Sequence, residues 1–263
     1  MQIATWNVNS IRTRQEHVCN WLSANPVDFL CLQETKVVDA DFPRTPFEDL
    51  GYHLQIWGQK AYNGVAIFSR EPIADVKMGF AAVLGSSAAA EEFDAQKRAI
   101  ALRIADFWLV NLYVPNGSSV GSEKYDYKLR WLATLQDYLT ALQTEGELCV
   151  CGDFNVAPED RDIYKPEDRE KHIMASPAER EALQSVLSIG LADAFRKFIP
   201  ETGHYSWWDY RQGGFARDRG WRIDHIYLTP KLYDRAARCW IDREPRGLPK
   251  PSDHTPVTVE LTA

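Results

Sequence analysis

The chain has 263 residues, 45% apolar and 25% charged, with 30 Lys plus Arg against 37 Asp plus Glu and a formal net charge of −7. These are the proportions of an ordinary globular protein. No stretch approaches the ~18 consecutive apolar residues of a membrane span, and the acidic sum argues against a uniformly basic nucleic-acid-binding domain. Five cysteines without a disulfide framework suit a reducing cytoplasm, and the start "MQIATWNVNS" has no charged and then apolar leader, so no secretory signal is expected. Charge distribution matters more than its sum. Residues 156–193 are heavily acidic, whereas Arg211, Arg217, Arg219 and Arg222 gather in one short stretch, which leaves a local basic face open. Nine Trp serve a core, a stacking platform or a sugar-sized pocket equally well.

In chain order, apolar runs bounded by turn residues predict strands at about 2–8, 28–33, 52–57, 64–69, 99–105, 107–114, 147–152, 222–228, 236–241 and 256–261. A helix is predicted over 13–25, with Val18, Trp21 and Leu22 on one face. A second covers 124–143, where Leu129, Leu132, Leu135, Leu139 and Leu142 recur at three- and four-residue steps. A third, over 176–190, opens with a Ser176 cap, Pro177 and Glu179 and closes on Gly190. The small-residue segment 81–96 reads as a mobile loop, and Tyr62 and Asn63 as turn residues. Grouped strands with single long helices between them predict an α/β fold of two packed mixed sheets with helices outside. No linker-like tract interrupts 1–263, so one domain is expected. Helix-flanked strands in both halves are compatible with an internal duplication.

Polar residues collect where strands stop. "TWNVNS" ends in Asn7 and Asn9, "LCLQETK" in Gln33-Glu34, "NLYVPNG" in Tyr113 and Asn116, and "LCVCGDFNVAP" in Asp153 and Asn155. Gly-Asp-x-Asn is ordinary turn chemistry and equally a way to aim two polar side chains from one strand end. "RIDHIYL" places Asp224 in an otherwise apolar strand, and "KPSDHTPV" puts Asp253-His254 before the last one. A buried Asp needs a partner, and His is the natural one. Polar groups at several strand ends imply one shared crevice. His/Cys spacing for zinc, a Gly-rich phosphate loop and a Gly-x-Ser-x-Gly elbow are all missing, whereas carboxylates with amides suit Mg²⁺ beside phosphate.

Seven segments taken in order resemble the exonuclease III family of AP endonucleases, within the endonuclease/exonuclease/phosphatase superfamily. They are "TWNVNSIR", "LCLQETK", "YNGVAIFSR", "NLYVPNG", "GDFNVAP", "GWRIDHIYL" and "SDHTPV". The resemblance implies a four-layer, deoxyribonuclease I-like sandwich and a Mg²⁺-dependent (or Mn²⁺-dependent) phosphodiesterase. Its partner would be double-stranded DNA with abasic sites or blocked 3′ ends, bound by a monomer with no membrane association. By the same resemblance Glu34 is the principal metal ligand, with Asn7, Asp153, Asn155 and Asp253 around it. Asp153 activates water with Asn155 beside it, and His254, oriented by Asp224, bonds the phosphate. Tyr113 stands by the phosphate or leaving oxygen. Asn9, Arg98 and Asn116 contact the substrate, Trp207 and Trp221 wall a pocket for a base-free sugar, and Arg211 reaches the duplex.

Overall fold

The structure, a computed structural model, describes residues 1–167 and 171–262. The first half of the chain forms β1 (Gln2–Asn7), α1 (Ile11–Ala24), β2 (Phe29–Gln33), α2 (Thr45–Glu48), β3 (His53–Trp57), β4 (Val65–Ser69) and β5 (Val76–Met78). Then come α3 (Ala81–Leu84), α4 (Ala88–Asp94), β6 (Ala99–Ile104), β7 (Phe107–Tyr113), α5 (Glu123–Gln143), β8 (Glu147–Asp153) and α6 (Pro177–Leu187). The remainder holds β9 (Ala192–Asp193), α7 (Ala194–Phe198), β10 (Asp224–Leu228), α8 (Pro230–Arg235), β11 (Ala236–Ile241) and β12 (Val257–Leu261). Among the described residues no helix is long and apolar enough to cross a membrane.

The strands make two six-stranded sheets, ordered β11-β12-β1-β2-β4-β3 and β5-β6-β7-β8-β10-β9. Both follow one plan. Read across either sheet, only the third pairing is parallel, β1 with β2 and β7 with β8, and every other pairing is antiparallel. Each parallel pair is bridged by a long helix, α1 or α5, as a parallel crossover requires.

The two-residue period of a strand sorts the side chains into layers. Ile3, Cys31, Leu109, Cys149, Cys151 and Ile226 fill the seam between the sheets. Their alternates Ala4, Trp6, Leu30 and Leu32 pack against Val18, Trp21 and Leu22 of α1. On the other sheet Trp108, Val110, Leu148 and Val150 pack against Leu132, Leu135 and Leu139 of α5 and Leu183 of α6. These are the four layers the sequence predicts. Among the polar side chains that cross the seam, Gln33 Nε2 donates to Asn111 Oδ1 (2.7 Å) and Asn111 Nδ2 to the carbonyls of Leu32 and Ala66 (2.9 Å each).

Segment 81–96 is not the loop that its composition suggests. Ser87 caps α4 by accepting the Ala90 N–H (3.2 Å), and Phe93 packs edge-on against Phe80. Asp94 accepts the N–H groups of Phe80 and Ala81 (2.7 and 2.9 Å), so α3 is held by a carboxylate from the next helix. The short elements β5, β9, α2, α7 and α8 carry too little periodicity to be seen in the sequence. The strand expected from 222 begins at Asp224, which therefore heads β10.

Candidate active site

Along each central strand the seam-facing row turns from apolar to polar at the same edge: Ile3, Thr5, Asn7 in β1; Leu109, Asn111, Tyr113 in β7; Cys149, Cys151, Asp153 in β8. β10 runs antiparallel to β8, so its first residue, Asp224, arrives at that edge too. Register places Tyr113 and Asp224 directly beside Asp153 on either side. Gly152 lets β8 approach β7 so closely, since its φ is 141° and a Cβ there would stand 2.0 Å from the Leu112 carbonyl.

Past the strand ends the chain turns sharply. Asn7 Oδ1 accepts the Asn9 N–H (3.0 Å) and Asp153 Oδ1 accepts the Asn155 N–H (2.9 Å), with Asn9 and Asn155 in the left-handed region at φ 44° and 49°. These are Asx turns, which Asn tolerates better than most residues. The extended alternation of the strand ends there, so the carboxylate of Asp153 meets the backbone of Asn155. The Asn155 amide donates to the Val114 carbonyl (3.0 Å) and accepts from Asn116 Nδ2 (2.9 Å).

Asn7 joins the sheets chemically. Its Nδ2 donates to Glu34 Oε1 and to Asp153 Oδ2, 2.9 Å each. Glu34 Oε2 pairs with Lys36 at 2.8 Å. Glu34, Asp153 and His254 each offer a ligand atom within 4.8 Å of the others. Asp253 stands outside that trio. The oxygens of Asp253 take Asn9 Nδ2 (2.9 Å) and Trp207 Nε1 (3.0 Å). Hard oxygen donors of like charge, converging on one amide, suit a divalent cation such as Mg²⁺ or Mn²⁺.

The histidine bridges two carboxylates. His254 Nδ1 lies 2.9 Å from Asp224 Oδ2, and its Nε2 faces Asp153 Oδ2 at 3.7 Å. Ser206, which the sequence reading passes over, fixes Asp224 by donating its hydroxyl (2.6 Å) while accepting the N–H groups of Ile223 and Asp224. Burial opposes charge on His254, yet Asp224 and Asp153 outweigh it and raise its pKa, favouring the imidazolium. Burial raises the Asp153 carboxyl, which His254 only partly offsets and Asp224 reinforces. Burial also works on Glu34, but Lys36 and the Asn7 amide hold its carboxyl below the ordinary value. The Tyr113 phenol is pushed well up, first by burial and then by Glu34.

Trp207 and Trp221 are half-buried, edge to face with centroids 6.5 Å apart, and backed by Ile163, Met174 and Ile223. The Trp207 ring also lies 6.5 Å from the His254 ring. Arg98 lies 4.5 Å over the Tyr113 ring and donates to the Tyr113 carbonyl (3.2 Å). Arg211 is 87% exposed, with Asp209 as a 3.6 Å partner. From Tyr113 and Asn116 an open groove of about 820 Å³ runs past Arg98, Tyr62 and Asn63 to Lys124, Tyr127 and Arg130. Tyr62 is 70% exposed on this groove. A large aromatic in a turn is the signal that marks it.

Residues 4–254 match the family model described as Endonuclease/Exonuclease/phosphatase family. Exodeoxyribonuclease III of Haemophilus influenzae is 34% identical over 274 residues, covering 99% of this chain and 100% of the relative. An AP endonuclease from Archaeoglobus fulgidus superposes with a TM-score of 0.93 at 40% identity, each chain covered in full. The 3′ phosphatase NExo from Neisseria, solved with a product DNA hairpin, gives the same three values. With its central site at the edge between two sheets of one plan, the chain belongs to the endonuclease/exonuclease/phosphatase family, as a nuclease of its exonuclease III branch.

Proposed function

We propose that the protein is a Mg²⁺-dependent AP endonuclease that hydrolyses the phosphodiester 5′ to an abasic site in duplex DNA and leaves a 3′-hydroxyl. The observation that carries this reading is the Asp153–His254–Asp224 array facing Glu34 across Asn7, beside a wall made by Trp207 and Trp221. Glu34 and Asp153 would hold the cation, which when bound supplies positive charge against the phosphate.

The chain's own groups supply the remainder. Asp153, buried and raised in basicity, accepts the proton of the attacking water. His254, held by Asp224 and Ser206, donates from Nε2 to a non-bridging phosphate oxygen and stabilises charge as it develops there. Tyr113, kept protonated, donates toward the phosphate or the leaving oxygen. Asn155 fixes Asn116, which points its amide into the crevice mouth. The groove past Arg98 carries the strand, with cations for phosphates and Tyr62 for a base or sugar face. A flipped nucleotide costs least where the base is already missing, so the half-buried Trp207–Trp221 wall favours a bare deoxyribose.

The same hydrolytic centre would also serve 3′→5′ exonuclease and 3′-phosphatase work. The likeness to the Neisseria 3′ phosphatase favours that second use. We place the enzyme in the cytoplasm as a monomer, where its five unpaired cysteines are at home. The test is a labelled duplex with one tetrahydrofuran abasic analogue, with Mg²⁺ or with EDTA, beside an undamaged duplex. The analogue cannot undergo β-elimination, so metal-dependent incision on its 5′ side supports the reading. No incision, with hydrolysis of a 3′-phosphate end instead, shifts the assignment to the second use.

A further inference from the structure

Lys128 of α5 is fully buried, and so is its partner Glu179 of α6. Its ammonium has three donors and three acceptors: the Asn155 carbonyl (2.7 Å), the Asn116 carbonyl (3.2 Å) and Glu179 Oε1. The two carbonyls belong to different loops, one following β7 and one following β8, and their side chains form the Asn116–Asn155 amide pair (2.9 Å) at the crevice. Glu179 in turn accepts the N–H groups of Met174 and Ser176 (3.0 and 3.1 Å) and the Ser176 hydroxyl (2.7 Å), so its position is fixed independently of the lysine. A buried ion pair is a weak stability device, since well-packed apolar residues of the same volume do as well or better. The ammonium, however, draws two carbonyls from separate loops to one point, which apolar residues of that volume could not do.

We propose that Lys128 is a positioning residue for the nuclease reaction, its ammonium pinning the Asn116 and Asn155 turns so that their amides meet the phosphate in register. This rests on the site assignment made above. Lys128 does not touch the substrate; it acts through Asn116 and Asn155. Loss of the pin loosens a constellation in which displacements near 1 Å cost about 100-fold in rate.

The test uses the full chain on the tetrahydrofuran duplex with Mg²⁺, comparing K128M, the double variant K128M/E179M and D153N with the unaltered protein. K128M alone strands the Glu179 carboxylate, and its Tm is expected to fall by roughly 10 °C. K128M/E179M removes both charges and is expected to recover most of that Tm, to bind the duplex within about threefold of the unaltered protein, and still to lose about 100-fold in kcat. A kcat that returns with Tm to above about one tenth of the original overturns the proposal, because the pair would then be structural only. Should that double variant not fold, K128M/E179Q, in which the amide at 179 keeps its partners on Ser176 while position 128 can donate to neither carbonyl, is read against the same tenfold line at full folded fraction. D153N separates the two readings: turnover near normal in it removes the site assignment and this inference together, whereas a dead D153N with an active double variant removes only the inference.

Discussion

Two turns of this molecule repeat each other. Asn7-Val8-Asn9 closes a central strand of one sheet and Asp153-Phe154-Asn155 closes a central strand of the other. In both, a side-chain oxygen at the first residue accepts the N–H two residues on, the third residue has a positive φ, and the middle one is completely buried. The difference is one functional group. The amide at 7 leaves a donor free to reach Glu34 and Asp153, whereas the carboxylate at 153 leaves a second acceptor oxygen. One backbone solution thus supplies a donor from one sheet and an acceptor from the other. Their meeting is the chemistry of the seam.

Asp153→Asn keeps the turn and makes the two strand ends alike. Turnover on abasic duplex should fall about 10³-fold or more, with duplex affinity retained, in single-turnover and binding measurements. Turnover within tenfold of normal would remove the water-activation role.

A contrast with the opposite face of β10 gives the next largest effect. His225 donates Nε2–H to the Val156 carbonyl (2.9 Å) and accepts from Arg222, while Arg222 and Arg196 hold Asp162. Burial, reinforced by Arg222, depresses His225 to about 4. Arg222 and Arg196 overcome the burial of Asp162 and hold it at about 2. Both shifts mean that the unfolded chain binds more protons. Stability from His225 is intact above its unfolded pKa of ~6.5 and is lost as pH falls through about 4; that from Asp162 is intact above ~3.9 and lost as pH falls through about 2. Between pH 7 and pH 4 the His225 share of stability should therefore fall by roughly 3 kcal/mol, while the raised carboxyl of Asp153 works in the opposite direction. The share is read from urea unfolding as the difference between the unaltered protein and His225→Gln at the two pH values, and a difference flat over that range would show the histidine to be charged in the fold.

Asn7→Asp makes the turns alike in the other direction and puts three carboxylates together. Metal-free stability should drop by about 2 kcal/mol, with divalent cation restoring more Tm than it does in the unaltered protein. Equal cation-induced shifts would mean that Asn7 and Asp153 do not share one cation field. The smallest effect belongs to Arg211, whose side chain is 87% exposed. Arg211→Ala should leave stability within ~0.5 kcal/mol and reduce the salt dependence of duplex binding by about one unit of slope.

Most of the sandwich is visible in the sequence because short apolar runs bounded by turn residues, such as "IATW" and "LCVC", mark strands buried on both faces. What escapes are elements too short to carry a period, such as β9 and α7, and the helices of 81–96, fixed by Phe80 and Asp94 rather than by composition. Within the site, strand ends announce which residues are polar but not which groups they meet. The Asn7–Asp153 contact joins positions 146 residues apart, and Ser206 and Lys128 carry no local mark of their place behind Asp224 and beneath Asn155. Tertiary pairing alone reveals them.

The seam-spanning amide also has a consequence for the life of the chain. Neither sheet holds a working constellation by itself, and His254 joins the seam from the last connection before β12. Closing contacts of such sequence separation carries a loop-closure cost that slows folding. A nascent or half-docked chain therefore lacks the means to cut, and nuclease activity itself reports that both halves have met.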